Sequence, residues 1–154
     1  MIRRVLAALD RSPRMQLVFD AAAEVAARFT ATMWPLAVVW VPPEFPAAAA
    51  GSQADPLPAK LEATARAEIG SLRSSLPGLD LRPPVVRFGV PWRKILDAAE
   101  ELDVDLVVMG SHGYGGFDRL VGTTAAHVVN RARRSVLVVH AAQRQALASG
   151  DPYR

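Results

Sequence analysis

The sequence contains no cysteine. This absence excludes disulfide bonds, thiol catalysis and thiolate metal sites, and it is compatible with a reducing compartment. Long apolar runs are lacking too, because the first one, residues 5–9, is interrupted by Asp10. That run is too short for a signal peptide or a membrane span. We therefore expect a cytoplasmic protein that does not contact a membrane.

Lysine is almost absent, with two residues against 16 arginines, and the net charge is only +3. The arginines are spread along the chain, and only Arg131, Arg133 and Arg134 stand close together. A nucleic-acid surface usually has a denser basic stripe with interleaved aromatic residues, so no nucleic-acid partner is expected. The 154 residues, 51% of them hydrophobic, suffice for one compact domain with a real core.

Short apolar runs alternate with helical periodicities along most of the chain. Ser12 and Pro13 are typical of an N-cap and first turn, and Pro35 suits the start of a strand. Five prolines between residues 42 and 58 predict a long loop, and the polar residues 142–154 predict a tail after a domain of residues 1–141. The predicted strands are 5–9, 36–41, 85–88, 104–109 and 135–139; the predicted helices are about 13–29, 61–76, 92–102 and 123–133.

Alternating strands and helices with continuously apolar strands predict a parallel sheet covered on both faces. We expect a five-stranded, doubly wound, Rossmann-like α/β sheet with the strand order 3-2-1-4-5. Strands one and four are then neighbours at the point where the winding direction reverses. Ligands of open α/β sheets bind at the carboxyl ends of the strands at such a reversal, so Asp10 and Gly110 should flank one crevice.

Glycines are concentrated after the fourth predicted strand, where four occur within residues 110–116. After a loop, Gly122, Thr123 and Thr124 open a predicted helix. Unpaired N–H groups and two hydroxyls directed to one spot are typical of an oligophosphate site. The segment lacks the lysine of a Walker motif, and it follows the wrong strand for a dinucleotide fingerprint. The residues thus favour a nucleotide-binding α/β domain.

These motifs together resemble the universal stress protein (UspA-like) family, across about residues 2–140. The resemblance rests on Ala-Leu-Asp-Arg-Ser at 8–12, Gly-Val-Pro at 89–91, Asp-Leu-Val-Val-Met-Gly-Ser-His-Gly at 105–113, Gly-Thr-Thr at 122–124 and Ser-Val-Leu-Val-Val at 135–139. The ATP-binding branch of that family has Gly, two residues, Gly, nine residues, Gly, then Ser or Thr. Here only eight residues separate Gly113 from Gly122, so the loop is one residue shorter.

The resemblance implies an adenine nucleotide α-hydrolase-like fold that binds ATP, with Mg²⁺ or Mn²⁺ held by the phosphates. It also implies a homodimer formed through the strand at 135–139, and a nucleotide-responsive role in stress response. No protein metal site is expected, because the three histidines are dispersed along the chain. The residues implied to contact the nucleotide are Ala8, Leu9, Asp10, Val41, Met109, Gly110, His112, Gly113, Gly122, Thr123 and Thr124.

Plainer interpretations stay open for the same residues. Asp10 could assist Ser12 in starting a helix, a threonine could be a simple N-cap, and the glycines could form only a connection. The short loop supports an alternative function, a nucleotide-free dimeric scaffold or interaction module. An adenine nucleotide hydrolase is the least favoured function, since no catalytic constellation is evident. We predict no catalytic residues and slow ATP hydrolysis at most.

Overall fold

The computed structural model describes residues 1–40, 57–72, 76–111 and 123–140. Strands and helices alternate along these ranges. None of the helices within them has the length and apolarity that crossing a membrane requires. The elements are β1 (Arg4–Leu9), α1 (Met15–Phe29), β2 (Thr32–Val39), α2 (Leu57–Ser71), β3 (Asp80–Leu81), β4 (Val85–Phe88), α3 (Pro91–Glu101), β5 (Leu106–Gly110), α4 (Thr123–Arg131) and β6 (Ser135–Val139).

The six strands form one parallel sheet in the order β3-β2-β1-β5-β6, and β4 pairs with β2 beside β3. With β4 as the predicted third strand, the order 3-2-1-4-5 is confirmed. The unpredicted strand is β3, a two-residue piece that pairs with the start of β2. Pro83 and Pro84 separate β3 from β4, because a proline has no N–H to donate to a ladder.

Pro35 corrects the predicted start of the second strand, because it lies inside β2 rather than before it. The N–H of Thr32 donates to the carbonyl of Arg3 on the β1 side. Alternation along the strand then directs the proline nitrogen to the other side. There β3 has ended at Leu81, and β4 begins pairing only at Leu36. The missing donor therefore costs no ladder bond.

The helix α2 corrects the predicted loop at 42–58, because the helix already begins at Leu57. Pro58 is its second residue, a position where a missing N–H leaves no hydrogen bond unmade. The helix ends at Ser71, earlier than the predicted end near residue 76. Residues 41–56 and the predicted tail 142–154 lie outside the described residues.

Two apolar clusters cover the two faces of the sheet, and alternate residues of β1 belong to each. Val5, Ala7 and Leu9 pack with α1 and α2, whereas Leu6 and Ala8 pack with α3 and α4. The period of two places successive side chains on opposite faces of a strand. Burial on both faces explains why β1 is apolar from Val5 onward and why β5 is apolar along its whole length. These are the two central strands, and they end at the winding reversal.

Candidate functional site

The central strands β1 and β5 bring two distant segments of the chain together at their carboxyl ends. Ala8 of β1 is in register with Met109 of β5. Asp10 follows β1, and Gly110 is the last residue of β5. Both residues line one small, partly open crevice, whose volume of about 10 Å³ has room for about one water molecule. The other lining residues are Arg14, Leu17, Val18, Ser111 and Val139.

A compact turn of residues 10–14, here called the β1–α1 turn, holds Asp10. The Ser12 hydroxyl donates to Asp10 Oδ1 at 2.7 Å and accepts from the N–H of Arg14 at 3.2 Å. Asp10 Oδ2 has no hydrogen-bond partner among the described residues. One carboxylate oxygen thus organises the turn, and the other is left to accept a further donor.

Ser12 is not the N-cap that the sequence predicts. Arg14 holds that position, without a side-chain capping bond, and α1 begins at Met15. Ser12 instead accepts from the Arg14 N–H, and its carbonyl accepts from the Met15 N–H at 3.0 Å. The turn therefore provides hydrogen-bond acceptors for the N–H groups of Arg14 and Met15, where the helix begins. This arrangement also fits the plainer interpretation of Asp10 as a residue that assists helix initiation.

The β1–α1 turn is joined to α2 through a forked ion pair. Arg11 Nε donates to Glu68 Oε2 at 2.5 Å, and Arg11 Nη2 donates to Glu68 Oε1 at 2.8 Å. The hydrogen bond from this guanidinium lowers the pKa of Glu68, an effect that partial burial opposes. The two residues are 57 positions apart in sequence. Sequence reasoning missed this pair because Glu68 lies in no motif and nothing in the sequence links it to Arg11, which lies in the motif at 8–12.

Gly110 forms part of the crevice wall, and packing among the described residues does not require a glycine there. A Cβ built on this residue would meet only Val18 Cγ2, at 3.4 Å, which is ordinary van der Waals contact. Its backbone is also outside the left-handed region. Since Val18 lines the same crevice, the missing side chain leaves open a space that a Cβ would partly fill.

The apolar residues of the predicted site lie mainly in the core. Ala8, Leu9 and Met109 are all less than 10% exposed. Ala8 and Met109 pack on the α3–α4 face, and Leu9 packs on the α1–α2 face. A molecule at the carboxyl ends of these strands would therefore meet mainly their backbone groups.

Thr123 and Thr124 are the first two residues of α4, and the first is exposed whereas the second is half-buried. In a parallel βαβ unit the connecting helix runs back from the carboxyl ends of the strands. The α4 N-terminus therefore lies at the same edge as the crevice. Of the other predicted contacts, Val41, His112, Gly113 and Gly122 lie outside the described residues.

Five residues that line the crevice are missing from the predicted site: Arg14, Leu17, Val18, Ser111 and Val139. Ser111 adjoins Gly110, and its N–H donates to the carbonyl of Val139 at 3.0 Å. Val139 ends β6 at the same edge of the sheet. The fold prediction could have indicated both residues, because Ser111 follows β5 directly and Val139 ends the neighbouring strand β6. Arg14 and Leu17 are placed by the turn geometry, which the sequence pattern does not specify.

Within the described ranges, no three His, Asp or Glu side chains come together in a way that could hold a metal ion. His127 lies on α4, where its Nδ1 is 2.9 Å from Nη1 of Arg131. His140 is exposed after β6.

The sheet topology and this crevice define a doubly wound α/β domain with an open site at its winding reversal. The universal stress protein family model matches residues 1–140. The chain therefore belongs to the universal stress protein family, which confirms the resemblance.

One relative is universal stress protein A homolog 1 of Coxiella burnetii, 38% identical over 143 residues that cover 89% of this chain and 95% of the relative. Among solved structures, UspA from Lactobacillus plantarum is 27% identical, with a TM-score of 0.63, and the match covers 90% of this chain and 97% of that one. A universal stress protein in complex with cAMP is 24% identical, with a TM-score of 0.59 over 90% of this chain and 97% of its own. These likenesses confirm the fold.

Proposed function

We propose that this protein binds ATP in the crevice between Asp10 and Gly110 and acts as a nucleotide-responsive homodimer in stress response. The observation that carries the nucleotide proposal is the open crevice at the winding reversal, where ligands of such sheets bind. Its support from relatives is family membership and one structural neighbour in complex with cAMP.

The described residues fit an adenine nucleotide in their chemistry. Asp10 Oδ2 can accept a hydrogen bond from a ribose hydroxyl or the base, and main-chain groups near Ala8 and Met109 can contact the base. Gly110 lacks the Cβ that would narrow the crevice beside Val18. The Thr123 and Thr124 hydroxyls at the α4 N-terminus suit phosphate oxygens, since the helix dipole favours negative charge there.

The remaining predicted contacts are Val41, at the end of the second predicted strand, and three residues of the loop that the sequence predicts to approach ribose and phosphates. We propose that Val41 contacts the base and that His112, Gly113 and Gly122 lie along the phosphates. A divalent ion, Mg²⁺ or Mn²⁺, would be bound by the phosphates rather than by a protein metal site. Such an ion supplies charge neutralisation for the triphosphate when bound.

Gly110→Ala tests the nucleotide proposal. Among the described residues the new methyl group touches only Val18, so the variant should fold normally. In the crevice the same methyl should reduce ATP affinity about tenfold or more, as expected for overpacking that costs about 1–3 kcal/mol. Isothermal titration calorimetry with ATP and Mg²⁺ measures this effect.

Gly70→Ala on α2 is the matched control, because a Cβ there has no neighbour within 4 Å in the part of the chain that the structure describes. It should leave ATP affinity unchanged. No heat of binding to the wild type, together with no adenylate released from the purified protein, would contradict ATP binding and favour the nucleotide-free scaffold. Unchanged affinity in Gly110→Ala would remove this glycine from the site.

The homodimer proposal rests on β6, which lies at an edge of the sheet and pairs only with β5 among the described strands. Leu137 of β6 is 39% exposed. Apolar edge strands of this kind favour pairing with another strand, here a second β6 across a twofold axis. Light scattering at micromolar concentration should give the mass of a dimer, and Leu137→Lys should give a monomer. A monomeric wild type would contradict the proposal.

A further inference from the structure

We propose that Glu68 is a positioning residue for the nucleotide site: through Arg11 it fixes the β1–α1 turn and hence the carboxylate of Asp10. The inference rests on the proposed function, because it assumes that Asp10 contacts the nucleotide. It adds a residue that belongs to neither strand β1 nor the glycine-rich segment. It also makes α2 an element that responds to occupation of the crevice.

Glu68 lies on α2, a helix that is packed against the core. Ala65, Ile69 and Leu72 are all less than 10% exposed and belong to the same core cluster as α1 and β1. Glu68 is half-buried and lies one residue before Ile69, beside that packed face. Its carboxylate is therefore held by a helix whose position the sheet already determines.

The link itself has the geometry that restricts orientation. Both oxygens of Glu68 accept from different nitrogens of Arg11, at 2.5 and 2.8 Å. A forked pair of this type defines the plane and the direction of the guanidinium, which a single contact does not. The lowered pKa of Glu68 agrees with a carboxylate that stays charged and bonded.

Arg11 is linked to Asp10 by its position next to it in the sequence and by two hydrogen bonds of Ser12. Arg11 lies between Asp10 and Ser12, which are joined through the Ser12 hydroxyl at 2.7 Å. The same hydroxyl accepts from the Arg14 N–H, which ties the turn to the start of α1. Loss of the Glu68 pair would remove the forked contact that orients the middle residue of this arrangement. The direction of Asp10 Oδ2 would then become less defined.

An equivalent pair on the same helix offers a comparison. Glu62 accepts from Arg66 at 2.6 Å, four residues along α2. The side chains of Glu62 and Glu68 are similarly exposed, at 43% and 37%. Arg66 also donates to the carbonyl of Pro84, away from the crevice, so only the Glu68 pair reaches the β1–α1 turn. Comparing variants of the two glutamates thus separates the effect of losing an ion pair on α2 from the effect of losing the contact that positions the β1–α1 turn.

Coupling between the two ends must act in both directions. If the Glu68–Arg11 pair favours the turn conformation that binds nucleotide, bound nucleotide stabilises the pair to the same extent. Nucleotide binding would then reduce the motion of α2 relative to the turn. The helix α2 follows directly on residues 41–56, so this coupling connects the crevice to a second segment of the chain.

The test compares Glu68→Gln with Glu62→Gln by calorimetric titration of adenosine and of ATP. Glu68→Gln should weaken binding of both ligands by about two- to fivefold, in the range that a partly exposed ion pair can contribute. The factor should be the same for both ligands because the effect acts through Asp10 and not on the phosphates. Glu62→Gln should bind both ligands like the wild type.

Rescue distinguishes positioning from a general loss of stability. The charge-exchanged double variant, Arg11→Glu with Glu68→Arg, should recover most of the lost affinity, whereas Arg11→Glu alone should not. Thermal unfolding should show similar stabilities for Glu68→Gln and Glu62→Gln. Equal affinity of Glu68→Gln and the wild type for adenosine would overturn the inference and leave ATP binding intact.

Hydrogen exchange without ligand provides a second measurement. In Glu68→Gln, exchange at the Arg14 and Met15 amides, which donate to Ser12, should become faster than in Glu62→Gln. Unchanged exchange at these amides would overturn the inference regardless of nucleotide. A wild type that binds neither ligand would contradict the proposed function itself and, with it, the role of Glu68.

Discussion

The amino ends and the carboxyl ends of the parallel strands form two opposite sides of the sheet, here called the amino edge and the carboxyl edge. Aspartate residues have different roles at the two. At the amino edge, Asp105 Oδ2 accepts from the N–H of Arg3 at 2.7 Å and from that of Arg4 at 3.0 Å. Asp103 is bonded there by Arg4 and Arg134. At the carboxyl edge, Asp10 Oδ2 has no partner among the described residues and lies beside an open crevice. Within the described residues, the aspartates of the amino edge are bonded to other parts of the fold, whereas Asp10 Oδ2 is not.

The difference shows why a carboxylate at a strand end is not by itself a sign of function. Asp105 precedes β5 and bonds the backbone at the start of β1, so it joins the two central strands. Those backbone hydrogen bonds, the Arg3 one first, lower the pKa of Asp105 against the effect of burial. Asp10 makes one short local bond to Ser12. What separates the two residues is the number of donors that the described part of the chain supplies to each carboxylate.

The largest expected effect is the loss of stability in Asp105→Ala. Two backbone amides would lose a charged acceptor, which should reduce the free energy of unfolding by about 1–3 kcal/mol. ATP affinity should stay within twofold of the wild type, because the residue lies at the far edge from the crevice. Urea unfolding and calorimetry measure the two quantities. A strong loss of affinity with little loss of stability would reverse the assignment of the two edges.

The same contact predicts a dependence of stability on acid. Because the folded state lowers the pKa of Asp105, its contribution is complete above the ordinary aspartate pKa of about 3.9. The contribution is lost as the pH falls from there through the lower folded-state value. Asp105→Asn should therefore show a smaller decrease in stability than the wild type below about pH 4. Parallel pH profiles for the two proteins would contradict this explanation.

An intermediate effect is expected at the open edge, from Asp10→Asn. The amide keeps an acceptor for the Ser12 hydroxyl, so the free energy of unfolding should change by less than about 0.5 kcal/mol. Losing the negative charge should reduce ATP affinity about tenfold, as expected for a charged hydrogen bond that becomes neutral. Thermal unfolding and calorimetry provide the comparison. Wild-type affinity in this variant would leave Asp10 with only its role in the turn.

The smallest effect is expected from Asp103→Asn at the amino edge. Asp103 has a φ of 47°, a conformation that asparagine also tolerates. Its side chain is 66% exposed, so its ion pairs with Arg4 and Arg134 should contribute less than about 1 kcal/mol. Urea unfolding at low and high salt should show a small difference that salt removes. A loss larger than that of Asp105→Ala would show that the side-chain pairs, rather than the backbone bonds, join this edge.

The fold could be predicted because both faces of the sheet are buried. The strands are therefore apolar, and the helices that cover them have apolar residues at helical spacing. The predicted strand at 135–139 coincides with β6, and α4 begins at the predicted Thr123. Pro35 was misplaced because its tolerance inside β2 depends on where the neighbouring strands end. That information lies in residues about fifty positions later, and the sequence around Pro35 does not contain it.

The site could be predicted only in part. Asp10 and Gly110 line one crevice as the strand order predicts, because that order makes β1 and β5 neighbours. Arg14 and the Arg11–Glu68 pair depend on the conformation of the β1–α1 turn, and a turn's side-chain contacts do not follow from a periodic pattern. Ser12 shows the same limit. The capping rule indicates Ser12 as the N-cap, whereas the N-cap is Arg14, two residues later, and the Ser12 hydroxyl accepts from the Arg14 N–H.

The comparison of the two edges is tested most directly by adding ATP and Mg²⁺ to isotope-labelled protein and following the backbone amide signals by nuclear magnetic resonance. The account predicts shifts at Asp10, Arg14, Gly110 and Ser111, and unchanged signals at Arg3, Arg4 and Asp105. Shifts concentrated at the amino edge, or no shifts at millimolar ATP, would contradict it.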